Sequence, residues 1–268
     1  LLVSDVDGTL VTPDKTLTPA TIEAVRALDA AGIKFTIVSS RPPRGVLPLA
    51  APLGLSGPLG AFNGGVIFAT DLKPVAEHYV DPEAARIAID LFHRHGVEIW
   101  LFDDKEWFIT DPNGHYVEHE RHTVRFDPTV VESFDHLLHR VGKIVGASQD
   151  FTLLAKLEDE LQGMVGTRAN ARRSQSYYLD ITALGADKGD AVVAFAKIFG
   201  VPLSETAVIG DMANDVPMFK KAALAIAMGN ATDAVKAQAQ KVTAANTAEG
   251  WATAVTDFIL PLAPKRPA

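Results

Sequence analysis

The chain opens on an apolar run, Leu1-Leu2-Val3, that closes on two aspartates, and buried runs of the same kind recur at residues 34–39, 59–63, 207–210 and 224–228. Short continuous apolar runs bounded by turn formers predict strands buried on both faces. Between them lie amphipathic stretches. Thr18 is placed to cap a helix, with Pro19 in its first turn, Ile22, Val25 and Leu28 on one face, and Gly32 as its stop. Further helices are predicted over residues 44–53 and 188–199 and after each of the last two strands. This alternation predicts a parallel sheet covered by helices, a Rossmann-like, doubly wound α/β core.

From about Tyr79 to Thr182 the pattern changes. Short strands are predicted at residues 97–102, 107–110, 143–146 and 177–181, with amphipathic helices at 83–95, 130–141 and 151–162. An inserted α+β domain over 79–183 would therefore split the core into 1–78 and 184–268. The proline-rich tail from Leu260 cannot continue the helix before it.

Composition narrows the functional classes. With 268 residues, 47% of them hydrophobic, the chain can bury the cores of two modest domains. A net charge of -8 argues against a nucleic-acid partner, because phosphate backbones require concentrated Lys and Arg. There is no cysteine, which excludes disulfides, thiolate catalysis and Cys-ligated zinc. No apolar stretch approaches the ~20 residues of a membrane span. The expectation is a cytoplasmic protein with no membrane partner; nothing in the pattern addresses its oligomeric state.

The chemistry begins at Asp5-Val6-Asp7-Gly8. Residues i and i+2 of an extended segment project to the same side, so Asp5 and Asp7 can face one volume, and Gly8 lets the backbone turn away without a Cβ in it. Like charges held this close require a cation or a retained proton, and both suit phosphoryl transfer. Asp-Gly is also a common turn dipeptide. The turn reading loses ground once Ser39, Asn63, Lys188 and the run Gly210-Asp211-Met212-Ala213-Asn214-Asp215 are included. Ligands of open parallel sheets lie beyond the carboxyl ends of the strands, where Asp5, Ser39, Asn63 and Asp211 are all expected.

Together these residues resemble the haloacid dehalogenase superfamily of aspartate-nucleophile phosphatases, over nearly the whole chain. The layout is similar to its large-cap branch (Cof-type, subfamily IIB), whose cap follows a strand carrying an Asn-Gly pair, here Asn63-Gly64. The resemblance implies that Asp5 attacks phosphorus and Asp7 is the general acid. It implies that Ser39 donates to a phosphoryl oxygen and that Lys188 supplies positive charge. Mg2+ would be held by the Asp5 carboxylate, the Asp7 backbone carbonyl and Asp211, with Asp215 orienting that shell. Asn63, Gly64, Arg41 and Asn214 would contact the substrate, a small phosphorylated metabolite with sugar phosphates foremost. One departure is Ser39-Ser40-Arg41 where the branch usually carries Thr-Gly-Arg. Asn63-Gly64-Gly65 also reads as a hairpin turn, and Asn230 as a helix cap. A phosphomutase of the phosphomannomutase type, a phospho-accepting signalling module and a catalytically silent ligand-binding relative are the competing readings.

All eight histidines lie between His78 and His139. A zinc site would join His115, His119 and His122, but the flanking sequence reads as strand and loop, which would turn His122 away. Arg172-Arg173 reads as a solvated basic pair or, in the cap, as a receiver for a second anionic group.

Overall fold

Leu2, Val3 and Ser4 form a fully buried interior strand of a five-stranded sheet. The structure, a computed structural model, describes residues 1–263. Across this sheet the strands run in the order Lys241–Val242, Leu224–Ala227, Ala207–Gly210, Leu2–Ser4, Phe35–Ile37, all parallel. The chain thus steps to one side of its first strand early and fills the other side only late. The switch in direction falls between Leu2–Ser4 and Ala207–Gly210, which is where open sheets of this kind place ligands. Thr18 caps the helix Pro19–Ala30 through its side chain, and Ala24, Val25 and Leu28 are buried.

Two compact units divide the chain. One holds residues 1–39, 48–59 and the chain from Lys188 onward; the other holds 40–47 and 60–187. Sequence texture drew the boundary near Tyr79, whereas the contacts draw it near Gly60. Residues 60–78 are tied into the second unit by the Phe62 ring, which a Cβ on Gly142 would meet at 2.4 Å and whose centre lies 6.3 Å from that of Phe102.

The second unit is built on a six-stranded sheet in the order Ala169–Gln175, Tyr178–Ala183, Lys143–Ala147, Glu98–Phe102, Trp107–Ile109, Thr129–Val130. Its pairs are antiparallel apart from the last. The helices Pro82–Arg94 and Phe151–Val165, capped by Asp81 and Asp150, bury Leu91, Phe92, Leu154, Leu157 and Leu161 with Ile99, Leu101, Ile144, Leu179 and Ile181. A sheet alternates its side chains between faces, so one apolar set per strand is enough for this core.

Several expectations need correction. Residues 130–141 are not helical: Val131 N pairs with Ile109 O, and the Ser133 hydroxyl both accepts from Asp135 N and donates to its carboxylate. Such local bonds compete with a helix, and the Phe134 and Leu138 spacing reflects two anchors of an irregular segment. Conversely Val117–Val124 is a helix, burying Val117, Glu120, Thr123 and Val124 at helical spacing. Two polar residues in that face concealed it. The helix expected over 44–53 is only Pro43–Val46 followed by a 3₁₀ turn, Leu47–Leu49, because Pro48 and Pro52 cannot sustain one. Leu59–Ala61 belongs to a separate three-stranded sheet with Val66–Phe68 and Pro74–Glu77, so Asn63 does not end a strand of the five-stranded sheet. The tail makes one 3₁₀ turn, Leu260–Leu262, and residues 264–268 lie outside the described residues. Among the described residues no helix is long and apolar enough to cross a membrane.

The second unit's core offers a stability test at Gly146, where an added Cβ would lie 2.5 Å from Phe92 Cζ. Gly146→Ala should lower unfolding stability by about 1–3 kcal/mol, the usual cost of overpacking. Thermal melting checks this; an unchanged midpoint would mean that the Phe92 ring gives way freely.

Candidate active site

Parallel pairing fixes where the first strand ends. Ser4 is level with Ile37 on one side and Ile209 on the other, and Asp5 N donates to Ile209 O at 2.9 Å. Asp5, Ser39 and Asp211 therefore emerge at one carboxyl edge, and all three are buried. Lys188, at the start of the helix Lys188–Phe199, brings its ammonium to the same place, donating to Asp5 Oδ1 and to Asp215 Oδ1, each at 2.6 Å. With only 2% of its side chain exposed, this lysine is held by charge pairing at the cost of its hydration.

Asp215 acts as a bracket. Its Oδ2 accepts from Asp211 N at 2.7 Å and Met212 N at 2.9 Å, so both its oxygens are engaged and the loop after Ala207–Gly210 is locked. Gly210 makes room, since a Cβ there would lie 2.6 Å from Asp215 Cγ. Asp211 in turn accepts from Thr9 Oγ1 at 3.0 Å and from Asn230 Nδ2 at 3.1 Å. Asn230 also donates to Gly8 O at 2.9 Å and accepts from Asn246 N at 3.0 Å. It ties three loops together and does not cap a helix; Thr232 caps Asp233–Lys236. Gly8 turns through φ +82, and a Cβ on it would sit 2.3 Å from Asp211 Oδ2. The expected role of Gly8 thus has a specific beneficiary.

Carboxylate oxygens of Asp5, Asp211 and Asp215 lie within 4.8 Å of one another, the one such convergence of acidic or histidine ligands among the described residues. Burial, partly offset by Lys188, pushes Asp5 up to about 7. Burial and the Asp5 and Asp215 charges push Asp211 up to about 9. The same two aspartates raise Lys188, against its burial. Three buried carboxylates facing one ammonium leave negative charge in excess, and hard oxygen donors suit a dication such as Mg2+. The residues fit the cation.

Asp7 stands apart from the clustered carboxylates and is joined by Lys15, whose Nζ lies 2.8 Å from Asp7 Oδ1. Asn214 falls in the 3₁₀ turn Ala213–Asp215, half-buried. Arg41, Asn63 and Gly64 belong to the second unit. There Phe62 N donates to Arg41 O at 3.0 Å, and Arg41 donates to Gly45 O. Phe62–Gly64 is a tight turn with left-handed φ at Asn63, and it buries that side chain, so the turn reading is right as geometry. Arg172 and Arg173 part company: Arg173 is bound through its Nε and backbone N to Glu158, while Arg172 is exposed. His119 and His122 lie on the helix Val117–Val124, and Tyr177 Oη meets His119 Nε2 at 3.2 Å.

A family model for haloacid dehalogenase-like hydrolases matches residues 2–255. The chain belongs to that family. It is 27% identical over 268 residues to pyridoxal phosphate phosphatase YbhA of Escherichia coli, covering 97% of this chain and 98% of the relative. It is 25% identical to 5-amino-6-(5-phospho-D-ribitylamino)uracil phosphatase YcsE of Bacillus subtilis, covering 97% and 96%. Among solved structures it is similar to the HAD subclass IIB sugar phosphatase BT4131, with TM-score 0.85, 26% identity and 97% and 98% coverage. The family's α/β fold and its place among the hydrolases are therefore those of this chain.

Thr9, Lys15 and Asn230 were missed as site residues. Thr9 adjoins the aspartate pair and could have been found by that adjacency; Lys15 reads as an ordinary exposed turn residue after Pro13-Asp14.

Two outcomes are expected. Asp5 and Asp211 stand above the usual carboxylate value of 3.8, at about 7 and about 9, so the folded state holds protons that the unfolded chain releases first. In cation-free buffer the site's contribution to stability is full below 3.8 and is lost as pH rises through these values. Added Mg2+ should raise the melting temperature progressively more toward alkaline pH, and a pH-independent Mg2+ effect would contradict the charge excess. Gly8→Ala should displace Asp211 and weaken Mg2+ binding at least ~10-fold, the effect of disturbing a ligand's setting; calorimetric titration gives the constant, and wild-type affinity would show that the loop adapts.

Proposed function

We propose that this hydrolase is a magnesium-dependent phosphatase of small phosphorylated metabolites, sugar phosphates foremost, acting through phosphoryl transfer to Asp5. The observation that carries the reading is the placement of the Asp5 carboxylate, buried at a sheet's carboxyl edge and gripped by Lys188 at 2.6 Å. Phosphate monoesters resist water so strongly that the acceleration required can approach ~10²¹. A dication bound at Asp5, Asp211 and the Asp7 carbonyl would supply counter-charge to the phosphoryl oxygens.

The chain's own groups divide the work. Lys188 favours the ionised form of Asp5 against its burial and aims it, an Asp5 oxygen forms a bond to phosphorus, and the phosphorus–oxygen bond of the ester breaks. Asp7 gives its proton to the departing alkoxide. Water then attacks phosphorus, losing a proton to Asp7, and inorganic phosphate leaves with Asp5 restored. Ser39 supplies a hydroxyl for a phosphoryl oxygen, and Asp215 holds Asp211 in place without spending its own oxygens on the cation. Arg41, Asn63, Gly64 and Asn214 are assigned to the substrate.

The solved relative, a sugar phosphatase, supports sugar phosphates, while the other two relatives are phosphatases of pyridoxal phosphate and of a ribityl phosphate. All are small phosphomonoesters. A screen of such metabolites with Mg2+, read as inorganic phosphate release, tests the substrate class; failure on all of them would overturn it. Asp5→Asn should abolish turnover and Asp7→Asn should reduce it at least ~10²-fold with the circular dichroism unchanged. Phosphate release by Asp5→Asn near the wild-type rate would remove the nucleophile.

A further inference from the structure

Between the strand Trp107–Ile109 and the helix Val117–Val124, residues 110–116 form a loop that wraps the Glu98 carboxylate. Glu98 accepts from Trp100 Nε1 at 2.6 Å and from the backbone N–H groups of Tyr116 and His115. Gly114 lies so close that a Cβ on it would meet Glu98 Oε1 at 1.9 Å. An unrestrained glutamate would swing aside for a side chain, but these hydrogen bonds pin this one, so the loop demands glycine at 114. That demand sets an asparagine directly before a glycine. Asn113 is exposed, and among the described residues its side-chain amide has no hydrogen-bond partner. Asp111 Oδ1 accepts from Asn113 N at 2.9 Å, whereas Gly114 N reaches Asp111 O only at 3.4 Å, beyond the usual hydrogen-bond length. The nitrogen after Asn113 is therefore weakly engaged, and no side chain hinders an approach to it.

We propose that Asn113 is a site of self-modification, losing its amide to attack by the Gly114 backbone nitrogen and becoming a mixture of aspartate and isoaspartate. Gly114 N bonds to Asn113 Cγ, the Cγ–Nδ2 bond breaks, and Nδ2 departs as ammonia with the proton that Gly114 N gives up. Water then opens the five-membered imide. Cleavage of the new Cγ–N bond leaves aspartate, and cleavage of the original peptide C–N bond leaves the main chain running through the side chain. Either product adds a negative charge beside Glu98, whose ionisation Asp111 already opposes. Isoaspartate also lengthens the main chain just ahead of the two N–H groups that serve Glu98.

Asn63-Gly64 is the same pair in the opposite setting. Asn63 is buried, at φ 58 in a turn closed by Gly65 N to Phe62 O at 3.1 Å, so its amide cannot turn onto the next nitrogen without opening that turn. The two pairs are compared in the full chain, folded and in urea, incubated at mildly alkaline pH. Digestion with pepsin in acid stops the reaction, and mass spectrometry maps the peptides. In the folded protein Asn113 should convert within ~10-fold of its rate in urea, as a surface loop allows, while Asn63 should be slowed at least ~10²-fold, since it must wait for its turn to open. Protein isoaspartyl methyltransferase should label the Asn113 peptide, which identifies the isoaspartate. Asn113→Gln, which would have to close a six-membered ring, should remove both products from that peptide. Equal slowing of the two pairs by folding, aspartate without isoaspartate, or a methyl label on the same peptide of Asn113→Gln overturns the inference.

Discussion

Everything at the carboxyl edge of the five-stranded sheet depends on one buried ammonium. Lys188 touches Asp5 and Asp215, 183 and 27 residues away in sequence, and joins the strand that opens the chain to the loop that follows Ala207–Gly210. Taking away one partner of such a buried group typically costs about 3–5 kcal/mol, because the charge left behind has no solvent. The same constraint explains the two small residues nearby. Gly210 yields space to Asp215 and Gly8 yields it to Asp211, so carboxylates can crowd where side chains would otherwise stand.

The second unit buries a lysine differently. Lys143 lies 3.6 Å from Asp180, with its ammonium 5.0 Å from the centre of the Phe102 ring. This pair is looser than the contacts of Lys188, and part of its support is an aromatic face, a weaker and less directional partner. Phe102 stacks on Trp107, and Trp100 packs edge-on against Trp107 and Tyr178. The sheet therefore has one aliphatic face against two helices and one aromatic face carrying charge.

Four strands of the five-stranded sheet were legible because each is a closed apolar run, whereas Lys241–Val242, two exposed residues at its edge, carried no such signal; Asp5, Lys188, Asp211 and Asp215 stood out because their residue types and order fit a known chemistry. Their convergence is the part that geometry now supplies. Elsewhere the signal failed for physical reasons. Glu120 and Thr123 are buried on the inner face of Val117–Val124, so apolar periodicity could not show that helix. Phe134 and Leu138 mimic a helical face in a segment ruled by Ser133 and Asp135. Lys15 and Asn230 act through contacts to residues far from them in the chain or across a turn, and single-chain spacing carries no trace of either contact.

The sheet's strand order also dictates a sequence of events in time. The strand Leu2–Ser4 has one neighbour at Phe35–Ile37 and the other at Ala207–Gly210, and both Lys188 and the loop of Asp211 come after the last residue of the second unit. A chain emerging from the ribosome exposes its first strand with one edge unpaired until about two hundred residues have followed, by which point the whole of 60–187 has been made. The segment 60–187 can gather its own core from contiguous sequence, whereas the five-stranded sheet pairs strands on either side of it in the chain. Assembly of the clustered carboxylates is thereby deferred until Asp211 and Asp215 have been made, after the ammonium of Lys188 that tolerates them.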